Sequence, residues 1–281
     1  DGIIRYVGVQ GAAMALGLCA YVFMSMIDVE IVLKKWKWVL AFNIVFIGLL
    51  LTPLGVGGAT TGNQAWLKIP GIPFQIGPAE IVKITFTLLL AKQLEWLREE
   101  KRDLKSFPAA AMVAGHTLLL MGYYVVISGD MGNALTFFFI FLCMAFAAGF
   151  ALRWFALLFL GGGAAFAAAW VLELIPSYMM DRFRVLFDHS YDALKTGWQQ
   201  SRSLMAIGSG GIFGNGLFSG RYYSVPNAHN DFILSWMGNV IGFVGLCIVL
   251  GALLALVIKT FATGARSEDL LGSYICAGIG G

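Results

Sequence analysis

Hydrophobic positions run along this chain in long blocks divided by short polar stretches. Seven blocks reach the roughly 20 apolar residues that a helix needs to cross a bilayer. They lie at about 6–27, 38–56, 78–97, 108–127, 131–150, 153–173 and 231–258. An eighth, LLGSYICAGIGG, begins near Leu270 and meets the chain end after about twelve residues. A helix does not stop at mid-bilayer, so this block predicts a fragment of a longer polypeptide, with a re-entrant tail as the other reading. The expected fold class is all-α: a polytopic transmembrane helix bundle forming one domain over 1–281.

The polar stretches orient the bundle. Lys34, Lys35 and Lys37 follow the first block, and Arg98, Lys101, Arg102 and Lys105 follow the third. Arg153, Lys259 and Arg266 fall on the same side, whereas the connections 57–77 and 128–130 carry only Lys68. Basic short loops stay cytoplasmic, which places the long connection 174–230 and the start of the last full block outside. Within that connection, SYMMDRFRVLFDHSYDAL puts Met179, Phe183, Leu186 and Phe187 on one face, the pattern of an interfacial helix. The following AIGSGGIFGNGLFSG, 206–220, is too rich in glycine for the interior of an element. It reads either as a flexible connector or as backbone that approaches a ligand closely.

Composition agrees with the membrane reading. The chain has 281 residues, 59% hydrophobic and 12% charged, against about a quarter charged in soluble domains. Mean hydropathy is +0.79. A net charge of +3 gives no reason to expect nucleic acid. Cys19, Cys143, Cys247 and Cys276 all fall in apolar runs, so buried thiols are expected rather than disulfides or a metal motif. The opening DGIIRYVGVQG has neither the basic start nor the cleavage site of a signal peptide.

Charges inside such spans are costly and mark candidate sites. Glu80 and Lys83 share a face of a helix starting at Pro78, either as a functional pair or as a structural ion pair. Asp130 and Asp231 each stand at a helix start, where an aspartate also serves simply as a cap. His116, alone on an apolar helix, is expected to be a satisfied packing residue; Asn239 and His229 are weaker candidates. Trp36, Trp38, Tyr123 and Tyr124 suit interfacial anchoring. Asp130, Asp231 and the glycine loop map to the outer face, with Glu80 and Lys83 close to it. That convergence suits chemistry on an amphiphile whose head projects outward, and does not suit ion conduction.

Four stretches, FQIGPAEIVK (74–83), SGDMGNALTFF (128–138), WQQSRSLMAIGSGGIFGNGL (198–217) and HNDFI (229–233), resemble the SEDS family in order and spacing. These are the shape, elongation, division and sporulation proteins RodA, FtsW and SpoVE, with about ten transmembrane helices. The resemblance implies a chain lacking the family's first helix and most of its last two. It implies a peptidoglycan glycosyltransferase that polymerises lipid II, with Asp231 matching the essential aspartate. Glu80, Lys83 and Asp130 match motif residues expected to meet substrate. Gln199, Ser203, Ala206, Ile207, Gly208, Ser209, Gly210 and Gly211 match the outer-loop signature. By the same resemblance the expected partner is a class B penicillin-binding transpeptidase, and the location the bacterial cytoplasmic membrane. A divalent cation, Mg or Mn, is an expectation of the same origin, with Asp231 and Asp130 as candidate ligands. The chain departs from the pattern at Ala65, usually basic, at Asn239, usually acidic, and near His189 and Ala193, usually prolines. Lipid II transport and non-catalytic scaffolding are the alternative functions.

Overall fold

The computed structural model describes residues 2–57, 63–71, 74–100, 104–172, 198–219, 222–226, 228 and 230–281. The predicted interfacial helix falls in 173–197 and, like His229, lies outside the described residues. The described residues fall into two compact units, one of Asp1–Gly149 with Glu268–Ile279 and one of Phe150–Ser267.

The first unit contains α1 (Gly2–Ser25), α2 (Val29–Lys34), α3 (Trp36–Gly48), α4 (Pro78–Glu99), α5 (Phe107–Ser128) and α6 (Met131–Ala147). The second span does not run to 56 as expected. It tightens into a 3₁₀ turn at Leu49–Leu51, and β1 (Gly55–Val56) then pairs antiparallel with β2 (Trp66–Leu67). Leu67 also bridges Ile76, which ties the loop down just before α4.

Helix α4 is the core of this unit. Val82, Phe86, Leu90, Leu94 and Leu97 recur at helical spacing and are fully buried. Phe86 meets Phe137 of α6 edge-on at 5.4 Å, and Phe137 lies 5.9 Å from the Tyr124 ring. Packing of this kind, repeated along the helix, holds α4 against α5 and α6.

The α5–α6 corner follows directly from the local sequence. Gly129 takes a left-handed conformation (φ 69°), and its N–H closes α5 on the Val125 carbonyl. Asp130 then caps α6. A connection of two residues therefore brings the ends of both helices to the Pro78 end of α4.

The second unit contains α7 (Leu152–Val171), α8 (Trp198–Ser209) and α9 (Ile233–Arg266). The last element, α10 (Leu270–Gly280), belongs to the first unit, where Arg98 donates to the Tyr274 hydroxyl at 3.1 Å. Among the described residues, four helices are long and apolar enough to cross a membrane. The four cysteines are free, as expected, but Cys19 and Cys247 are exposed rather than buried, pointing away from the packed faces.

The glycine-rich stretch is not a plain loop. Residues 206–209 form the last turn of α8, with Ala206 fully buried. The remainder packs on α9, which is not one continuous helix. Gly242 breaks it, with φ 70° and ψ −173°, a conformation essentially confined to glycine. The break removes two helical bonds, from Phe243 N to Asn239 O and from Val244 N to Val240 O. The loop supplies a replacement for each half of both. Phe243 N donates to Gly211 O at 2.9 Å and Val244 N to Ile212 O at 3.1 Å. Asn215 N donates to Asn239 O at 2.9 Å and Gly216 N to Val240 O at 3.0 Å. Buried main-chain groups need such partners, and these four are satisfied across the break. Residues 243–266 alone run about 36 Å, enough to cross a hydrocarbon core of about 30 Å.

Candidate active site

In the first unit, the Pro78 end of α4 and the α5–α6 corner build one polar network. Lys83 Nζ pairs with Glu80 at 2.9 Å and donates to Asn133 Oδ1 at 3.3 Å. Asn133 Nδ2 donates to Asp130 Oδ2 at 2.8 Å, and the Tyr124 hydroxyl reaches the same oxygen at 3.3 Å. Asp130 Oδ1 accepts from the Gly132 and Asn133 main-chain N–H groups. The connection that holds Gln64 is tied to this end, since Gln64 N donates to Ser128 O at 2.8 Å. Three residues singled out from sequence, Glu80, Lys83 and Asp130, are thus joined, and Asp130 is a cap as well as a network member.

Asn133 and Tyr124 were not singled out for this role. Tyr124, expected as an interfacial anchor, is fully buried and correctly belongs to the network, whereas Trp38 stays 76% exposed. For Asn133 a signal existed: an amide at the third position of an aspartate-capped helix reaches back to its cap.

His116 is only half satisfied. Its Nδ1 meets Gln93 Oε1 at 2.8 Å, its ring lies edge-on to Phe86, and its Nε2 is buried with no partner. It borders a cavity of about 420 Å³ near the other end of α4, together with Trp36, Lys92 and Trp96.

In the second unit, α8 and α9 meet along a polar seam. The Ser203 and Ser235 hydroxyls are hydrogen-bonded, and Asn239 Nδ2 donates to Ser209 Oγ at 2.6 Å. Asn239 is 2% exposed and its Oδ1 has no partner. A neutral amide fits this dry seam, where an unpaired carboxylate would carry a much larger desolvation cost. The N–H groups of Gly210 and Gly211 donate to Ile207 and Gly208 carbonyls, so both are already engaged inside the fold. Gln199 lies exposed on the first turn of α8.

Asp231 differs from the other helix-starting aspartates. Asp28, Asp130 and Asp269 each accept main-chain N–H groups as caps. Helix α9 instead begins at Ile233 with Phe232 at the cap position and no side-chain cap bond. Asp231 is exposed, and its carboxylate has no hydrogen bond or ion pair among the described residues.

The donor set does not fit a cation held jointly by Asp130 and Asp231. Both oxygens of Asp130 are occupied by four donors, and no group of three His, Cys, Asp or Glu gathers among the described residues.

A family model described as a cell cycle protein, FtsW/RodA/SpoVE, matches residues 4–280. The chain belongs to this family. A probable peptidoglycan glycosyltransferase FtsW of Geobacter sp. (strain M18) is 33% identical over 254 residues, 88% of this chain and 65% of that protein. A protein of the same name from Aliivibrio salmonicida (strain LFI1238) is 32% identical over 263 residues, 91% of this chain and 64% of that one. The chain thus spans somewhat less than two thirds of these relatives.

Solved structures agree on the fold. A chain of a peptidoglycan synthase complex that coordinates polymerization and crosslinking superposes with TM-score 0.77 at 24% identity. That match covers 97% of this chain and 74% of the other. The Thermus thermophilus rod shape determining protein RodA gives TM-score 0.60 at 22% identity, covering 97% and 70%. The polytopic helical membrane fold read from the hydrophobic blocks is the fold of this family.

Proposed function

We propose that this chain is the core of a peptidoglycan glycosyltransferase that polymerises lipid II at the outer face of the bacterial cytoplasmic membrane. The observation that carries the reading is the exposed Asp231 carboxylate before α9, which has no partner among the described residues. A carboxylate held as a cap has its lone pairs occupied, whereas this one caps no helix and is exposed to a reacting hydroxyl. Family membership, and the FtsW names of its relatives, give the chemistry in which such a group is needed.

In that chemistry the 4-hydroxyl oxygen of an incoming N-acetylglucosamine forms a bond to the anomeric carbon of the donor sugar. The bond from that carbon to the polyprenyl pyrophosphate breaks, and its electron pair leaves on the pyrophosphate. Asp231 takes the hydroxyl proton as general base. A single displacement inverts the anomeric centre. Glu80, Lys83 and Asp130 form the rigid polar end of the other unit, where Glu80 orients Lys83 toward substrate oxygens. Among the outer-loop residues, Ser203 and Ser209 set the α8–α9 seam, Gly210 gives the close approach that the seam needs, and Gly211 supplies the positive φ that turns the chain there. The basic short connections support an outer position for these elements. The expected partner is a class B penicillin-binding transpeptidase, in keeping with the synthase complex whose fold the chain shares.

The test uses the full-length parent protein, reconstituted with its transpeptidase and supplied with lipid II. Glycan polymer from the wild type and none from folded Asp231→Asn supports the assignment. Equal polymer from both removes Asp231 from the chemistry. No polymer from either favours lipid transport or scaffolding.

A further inference from the structure

Lys83, a cation among the motif residues expected to meet substrate and a natural candidate for its phosphates, is already compensated by Glu80 and bonded to Asn133. The second unit holds a cation in different circumstances. On α8, the Arg202 guanidinium lies 5.4 Å from the Trp198 ring centroid and 5.3 Å from that of Tyr223. Tyr223 is itself anchored, its hydroxyl donating to Met205 Sδ at 2.9 Å. Among the described residues, Arg202 has no ion pair and no hydrogen bond.

Stacking on aromatic rings uses the faces of a guanidinium and fixes its plane. Among the described residues no acceptor meets its N–H groups, whose fork matches two oxygens of a phosphate. A half-buried cation held in this way, with no ion pair among the described residues, suits an anion. Its surroundings indicate which anion. The adjacent Ser203 is bonded to Ser235 of α9, and Asp231 stands four residues before Ser235 in the same unit. Among the described residues, Arg202 and Asp231 are thus unpaired charges of opposite sign within one unit.

We propose that Arg202 binds the pyrophosphate of the polyprenyl-linked sugar donor and holds it as it departs. This assignment rests on the glycosyltransferase reading above. It transfers the phosphate-binding role from Lys83 to a residue that neither composition nor spacing singled out. The shared ligand chemistry is a lipid-borne phosphate, which an anionic phospholipid headgroup also presents.

The experiment measures binding without turnover, on full-length protein in phosphatidylcholine nanodiscs. Polyprenyl pyrophosphate, inorganic pyrophosphate and phosphatidylglycerol are titrated while tryptophan fluorescence is read, with Trp198→Phe identifying the reporter. Polyprenyl pyrophosphate is expected to bind wild type and Asp231→Asn alike, and Arg202→Gln about tenfold to a hundredfold more weakly. Arg202→Lys, which keeps charge but loses the fork, is expected to fall between. Unchanged melting temperatures of both variants exclude a folding explanation. Equal affinity of wild type and Arg202→Gln would overturn the proposal, and so would phosphatidylglycerol binding as tightly as the pyrophosphate. Arg202-dependent binding in a protein that makes no glycan would sink the polymerase reading alone.

Discussion

Lys83 Nζ donates to Asn133 Oδ1 at 3.3 Å, and that bond joins the Glu80 ion pair on α4 to the Asp130 cap on α6. Asn133 uses both ends of its amide, accepting from the cation and donating to the carboxylate. Neither charged group could bridge the gap alone. Asn133→Leu is expected to destabilise the protein by about 1–3 kcal/mol, because it leaves Lys83 and Asp130 each one partner short. The check is the melting temperature of the solubilised protein. Asn133→Gln, which keeps the amide but displaces it, is expected to recover part of the loss.

Tyr124 separates packing from hydrogen bonding. Tyr124→Phe keeps the ring against Phe137 and removes only the hydroxyl bond to Asp130, so a cost of about 1 kcal/mol is expected. Tyr124→Ala opens the core and is expected to cost about 3–5 kcal/mol. Similar losses from both variants would show that the hydroxyl, not the ring, carries the stabilisation.

Asp130 and Asp231 look alike in sequence and are expected to behave oppositely on truncation. Asp130→Ala removes a cap and strands the Asn133 and Tyr124 donors, so the melting temperature should drop clearly, for a loss of about 2 kcal/mol. Asp231→Ala removes no bond among the described residues and should leave the melting temperature unchanged within a degree or so. A marked loss of stability in Asp231→Ala would show that its carboxylate is structural.

The interlocked glycines give a test of the break. A methyl group at Gly242 would overlap the Gly214 nitrogen, and one at Gly214 would overlap the Val240 carbonyl. Both glycines also have positive φ. Gly242→Ala or Gly214→Ala is expected to cost about 2 kcal/mol or more, read as lower yield of monodisperse protein and earlier thermal unfolding. Gly161→Ala on α7 is the control: nothing lies within 4 Å of its added methyl, and no loss is expected.

The spans were legible because crossing a bilayer demands length and apolarity, both visible residue by residue. Pro78 and Asp130 marked helix starts for reasons of backbone chemistry that hold locally. The break at Gly242 was not legible. Hydropathy runs through it without change, and its replacement bonds come from the main chain of residues about thirty positions earlier. The same limit hid Arg202, since its meaning lies in the two rings that meet it, one of them from a residue twenty-one positions later. Asp231 is legible as a charge opening an apolar block, and the family motif lends it a role. Its freedom from capping became visible only when α9 was seen to begin at Ile233.

The broken α9 also fixes an order of assembly. A span that closes its own backbone enters a bilayer as an independent unit. This one carries four main-chain groups that close only on residues 211–216, and those residues leave the ribosome before it does. The clamp is thus waiting when its helix arrives, and the two find each other along about twenty residues of connecting chain. Cutting that connection would turn a local closure into a meeting of two molecules, in a membrane where neither piece is complete.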